Sequence, residues 1–196
     1  MPRTVTSKRT SGKHLPLIML TAVFVISLIG GAVIAAAADP SLAERIINTA
    51  AAFLRSRSTL GFAETLAQSF FSSAVIIILF FFLGFGGIYQ PFSVCLLIFR
   101  ALGIGTALAF IYAGGITPQN FFAVSSVLPF IALTSFIHIL ACRESIRMSA
   151  AVLRVSIAAP GEYTPVSYGL YINKFILLIF CAAVVSVIDA LFNVLV

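Results

Sequence analysis

FLGFGGIYQPFSVCLLIFRALGIGTALAF, residues 82–110, carries a single charged side chain, Arg100, among phenylalanine, leucine and glycine. Such a run is longer than one water-soluble core helix needs and is interrupted only by Gln90 and Pro91. It reads as the end of one membrane helix, a short turn and most of a second. Pro91 suits the first turn of that second helix, where its missing N–H would have no partner in any case. The expectation at this point is a tight antiparallel helical hairpin.

The rest of the chain agrees on the solvent. Of 196 residues, 61% are apolar and 9% charged, nineteen are Phe, and the mean hydropathy is +1.13. A chain of this length cannot hide that much apolar surface in one water-soluble core. Five windows, at residues 15–38, 66–89, 92–114, 121–141 and 175–196, approach the roughly 20 apolar residues that a hydrocarbon layer requires. None shows the strict two-residue alternation of a membrane barrel, so helices must satisfy the backbone within lipid. The expected fold class is all-α: a polytopic membrane helical bundle of about five transmembrane helices plus interfacial amphipathic helices. The first window also fits a secretory signal cleaved near Ala38. Its apolar run exceeds the roughly 7 to 15 residues of such signals, which favours an uncleaved anchor.

Lys and Arg bias sets the expected orientation. Arg3, Lys8, Arg9 and Lys13 precede the first span, and Arg143, Arg147, Arg154 and Lys174 lie between the fourth and fifth. An amino terminus in the cytoplasm keeps all eight inside and leaves Arg45, Arg55 and Arg57 outside. Residues 1–14 are then a basic cytoplasmic tail and residues 15–196 the membrane domain. Residues 39–65 form an extracytoplasmic segment and 142–174 a cytoplasmic one. The net charge of +6 follows from this asymmetry, and basic residues that flank membrane spans contact lipid headgroups, which argues against nucleic acid as a partner.

Both segments outside the membrane carry helical patterns. Ser41 is followed three residues later by Glu44, the spacing of a capping box, and Leu42, Ile46, Ala50 and Phe53 then fall on one face. That face either packs on the protein's own helices or docks a partner outside the membrane. Arg143, Arg147 and Arg154 share a face of CRESIRMSAAVLRVSIAAP, which suits an interfacial helix on anionic lipid or a protein-binding site. The PGEYTPVSYG loop, 160–169, follows.

Reactive motifs do not turn up. The sequence contains no P-loop, G-x-S-x-G, H-E-x-x-H or dinucleotide fingerprint. His14 and His138 are too few and too separated for zinc, and Cys95, Cys142 and Cys181 form no C-x-x-C pair. No cofactor, metal site or catalytic residue is expected. Intramembrane polar groups remain. Arg100 lies eight residues into the window that opens at Phe92, about 12 Å deep by helical rise, where a charge costs roughly 2.5 to 3.5 kcal/mol. Ser186, Asp189 and Asn193 fall on one stripe that must face inward. Asp189 lies about 9 Å nearer the outside than Arg100, so pairing is open. Ala101, Gly105 and Ala109, Gly103 and Ala107, and Ala182, Ser186 and Ala190 recur at four-residue spacing. Such rows let helix backbones approach closely, within one chain or between copies.

The run FLGFGGIYQPFSVCLLIFRALGIGTALAFIYAGG, followed by SVLP at 126–129, resembles the stage II sporulation protein M family over most of the chain. The resemblance carries Gly84, Gly87, Pro91, Gly103, Gly105 and Pro129 over as structural positions. It implies a membrane scaffold of the bacterial cell membrane that localises the peptidoglycan-degrading stage II sporulation proteins D and P during engulfment of the forespore. Contacts would then be expected from residues 41–57, Glu44 and Phe53 included, and from the glycine-rich third helix. Membrane lipids and further copies of the chain are the other expected partners. The alternative function is a transporter or permease subunit, with Arg100, His138 and Asp189 lining a polar path.

Overall fold

The computed structural model describes residues 15–39, 60–113, 118–157 and 167–195, with positions 41, 44, 45, 48 and 52; side chains are described for these except at 113, 118–126 and 195. Among the described residues five long helices follow one another: α1 (Leu15–Ala36), α2 (Phe62–Gly84), α3 (Gln90–Ala113), α4 (Pro118–Ile157) and α5 (Tyr168–Leu195). Each is long and apolar enough to cross a membrane, and the fold is a multi-pass helical membrane bundle.

Burial follows the logic of a chain dissolved in lipid. Large apolar side chains point away from the bundle, among them Ile26, Phe71, Phe99 and Phe180. Inside lie Ile77, Phe80, Leu97, Ala101 and Phe175, together with a row of hydroxyl-bearing residues. With lipid as apolar as leucine, helices gain little by hiding leucine from it, so close packing and interhelical hydrogen bonds hold them.

The helices do not pair in sequence order. α1 lies chiefly against α3, and α2 against α5, while α4 touches all four others. α2 and α3 are joined by a short connection but make few contacts with each other, so the hairpin expected from Gln90-Pro91 is splayed rather than tightly packed. The physical reason is that α3 turns its small residues to α1. A Cβ at Gly31 would strike the carbonyl oxygen of Leu102, and one at Gly105 would strike that of Leu28. Thr106 Oγ1 spans the same crossing, donating to Gly31 O at 3.1 Å and to Leu102 O at 2.9 Å.

Several boundaries also move. α2 ends at Gly84, and residues 85–89 form the connection, closed by Phe85 N donating to Phe82 O and Tyr89 N to Gly86 O. Pro91 still falls in the first turn of α3. The fourth span and the expected interfacial helix are one continuous helix of 40 residues, with Pro129 inside it. At 1.5 Å per residue it is about 60 Å long, twice a hydrocarbon layer. Nothing between Ala141 and Ile157 breaks a helix, and the residues beyond Ala141 have a surface to pack on. Ser149 Oγ donates to Gly86 O at 2.6 Å, and a Cβ at Gly87 would lie 3.2 Å from Leu153 Cα. The glycines of residues 85–89 therefore let the connection lie against α4.

α5 starts at Tyr168, ahead of the apolar window, because Lys174 has a partner: its Nζ donates to Glu144 Oε2 at 2.5 Å. Aromatic rings close the α2–α5 contact at the same end. Tyr171 stacks on Phe81 with centroids 5.4 Å apart and donates its hydroxyl to Phe81 O at 2.9 Å. Gly84 makes room for that hydroxyl, which a Cβ would strike.

Candidate functional site

The interior polar groups lie in layers, and helical rise orders them from the connection between α2 and α3, called here the hairpin end, to the opposite end. At the hairpin end, Glu144 gathers three bases: Lys174, Arg147 Nη1 at 3.2 Å and Arg143 Nη1 at 3.7 Å. Just inward, Ser93 Oγ and Ser145 Oγ are 3.0 Å apart, tying α3 to α4, and Cys142 Sγ donates to Ser93 O at 3.5 Å. At the opposite end, Ser69 Oγ donates to Asp189 Oδ2 at 2.5 Å, and Asn193 Nδ2 donates to Thr65 Oγ1 at 3.1 Å and Leu60 O at 3.5 Å. These bonds join α2 to α5.

A middle layer is different. Ser73 of α2, Arg100 of α3 and Ser135 and His138 of α4 each hold a buried polar atom with no hydrogen-bond partner: both hydroxyl oxygens, Arg100 Nε and both imidazole nitrogens. Arg100, His138 and Ser73 share one depth, and Ser135 lies about one turn of α4 beyond them. Arg100 lies ten residues beyond Gln90, about 15 Å along α3, deeper than the 12 Å expected because the helix starts two residues earlier. His138 lies eleven residues from Ser149 and Ser73 eleven from Gly84, each about 16 Å along its helix. Arg100 and the Ser73 backbone lie near the His138 ring, neither of whose nitrogens has a hydrogen-bond partner. His138 is 0% exposed.

Two periodicities build these layers. Along α4, Ser135, His138, Cys142, Ser145 and Ser149 recur at spacings of three and four, and all five are buried. Along α2, Thr65, Ser69 and Ser73 recur every four residues and are likewise buried. Both rows are present in the sequence as S-x-x-H-x-x-x-C-x-x-S-x-x-x-S and T-x-x-x-S-x-x-x-S, hidden by the surrounding apolar residues.

The expected site residues divide accordingly. Gly84, Gly87 and Gly105 sit at close approaches, whereas Gly103 and Ala107 are exposed and a Cβ at Gly103 would meet nothing among the described residues. Pro129 is exposed on α4, lining a small cleft with Asp189 and Phe130. Arg100 and Asp189 are not a pair: Asp189 is held by Ser69, and Arg100 makes no ion pair among the described residues. Ala182, Ser186 and Ala190 of α5 are buried, as their spacing predicts. Glu44 is helical and exposed with Ser41 and Arg45, whereas Leu42, Ile46, Ala50 and Phe53 lie outside the described residues, as does the 160–166 part of the PGEYTPVSYG loop.

Compared with known proteins, the chain matches no family model, no curated protein and no solved structure. The class its fold defines is thus the polytopic α-helical membrane protein, a bundle organised on α4.

Proposed function

We propose that the chain is a non-catalytic membrane scaffold of the kind its resemblance to stage II sporulation protein M implies. It would sit in the bacterial cell membrane with its amino terminus in the cytoplasm and hold stage II sporulation proteins D and P at the sporulation septum. One observation carries this reading: three glycines of the resembling run serve packing, Gly84 against Tyr171, Gly87 against Leu153 and Gly105 against Leu28, while Gly103 faces open space. A scaffold contributes position, and rigid helix crossings are what position requires. The orientation is supported by Arg143, Arg147, Arg154 and Lys174, which gather toward the hairpin end and favour that end as cytoplasmic. Deleting the gene in sporulating cells tests the proposal. Engulfment should stall and the two enzymes should lose their septal position; normal enzyme localisation would overturn it.

A permease subunit is the second reading, favoured by the polar layers that recur from Ser149 to Thr65. Intramembrane polar residues mark pathways in many transporters. Solute flux across proteoliposomes containing the purified chain alone would support it over the scaffold.

A further inference from the structure

We propose that Ser73, Arg100, Ser135 and His138 enclose a binding site for a small monovalent inorganic anion of the halide class. The proposal stands independently of the scaffold reading. Its first ground is the default it breaks. Thr21, Ser27, Thr106, Thr134, Ser156 and Ser186 each donate to the carbonyl four residues earlier in their own helix. That bond is open to any hydroxyl in a membrane helix. Ser73 and Ser135 do not make it, and their buried oxygens stand unpartnered within about one helical turn in depth of two further unpartnered side chains. Buried polar atoms without partners are few in a native fold, and four such side chains from three helices within about one helical turn of each other in depth point to something that binds them together.

The donor set selects the ligand. Two hydroxyls, the Arg100 Nε–H and an imidazole N–H can all donate at once, and none of the four side chains carries negative charge. Among the described residues no carboxylate pairs with Arg100, a half-buried side chain whose Nε is enclosed and whose backbone lies about 15 Å along α3. A cation drawn even partly out of water is stabilised by a partner of opposite charge, and water fills donors without supplying charge. A compact anion does both. A divalent anion would leave net negative charge in the same interior, so the site favours a single charge.

Thermal unfolding of the purified full chain in uncharged detergent micelles tests this, with sodium chloride or bromide replacing sodium gluconate at constant ionic strength. The midpoint should rise saturably with halide, as a ligand of the folded state requires. Arg100→Gln should abolish the rise, Ser135→Ala should weaken apparent halide affinity several-fold, and Ser156→Ala on exposed α4 surface should leave both unchanged. Should Arg100→Gln fail to fold, Ser73→Ala and Ser135→Ala decide the matter. Bromide should also give an anomalous scattering peak among the four residues. A midpoint indifferent to halide, an equal response in the serine variants and wild type, or density for water alone would overturn the site.

Discussion

Ser69 Oγ donates to Asp189 Oδ2 at 2.5 Å, so the acidic side chain within α5 is held by a serine of α2 rather than by Arg100. The bond ties two helices that also meet through Thr65 and Asn193 four residues further along each. Ser69→Ala should remove a donor from a buried carboxylate and cost about 1 to 3 kcal/mol. Replacing both partners with apolar residues should cost less than the sum of the single changes. A double-mutant cycle on unfolding in micelles checks this, and strict additivity would count against the bond.

Gly105 and Gly103 lie two residues apart on α3 and should respond in opposite ways. Gly105→Val forces a branched side chain into the Leu28 carbonyl and should destabilise by about 1 to 3 kcal/mol or more. Gly103→Ala enters open space and should be neutral or gain up to about 1 kcal/mol of helix propensity. The unfolding midpoints of the two variants are the measurement.

Gly84 and Tyr171 should be coupled. Gly84→Ala places a methyl group against the Tyr171 hydroxyl and should lower the midpoint. Tyr171→Phe removes that hydroxyl, so the double variant should recover part of the loss. Recovery would be absent if Gly84 served only the backbone.

How much of this was legible beforehand differs from one residue to the next. The number of spans follows from hydropathy alone, and the inward stripe of Ser186 and Asp189 follows from spacing. The pairing of α1 with α3 does not, because a small-xxx-small row announces a close approach without naming the partner helix: Gly105 finds Leu28, while Gly103 finds open space in this chain. The length of α4 is not legible locally, because hydropathy falls at Arg143 and Glu144. The helix continues there since Ser149 and Leu153 meet Gly86 and Gly87, a tertiary contact that no local window contains. The unpartnered middle layer was half visible. Arg100 stood out by its charge, and Ser73 and Ser135 were lost among apolar neighbours.

Glu144 sits among Arg143, Arg147 and Lys174 at the partly exposed end of the bundle. Glu144→Gln should cost up to about 1 kcal/mol, and the difference from wild type should shrink as salt is raised, since exposed pairs are screened. Unfolding at low and high sodium gluconate reads both effects.

The five-span bundle itself is tested most directly by labelling single cysteines from each side of the membrane, in a chain whose Cys95, Cys142 and Cys181 have been replaced by alanine. Ile88, Gly169 and Gly61 are exposed positions outside or at the very start of helices and suit the probe. Ile88→Cys and Gly169→Cys should label from the same side and Gly61→Cys from the other. Labelling of all three from one side, or of Ile88→Cys together with Gly61→Cys, would contradict the fold on which every other inference stands.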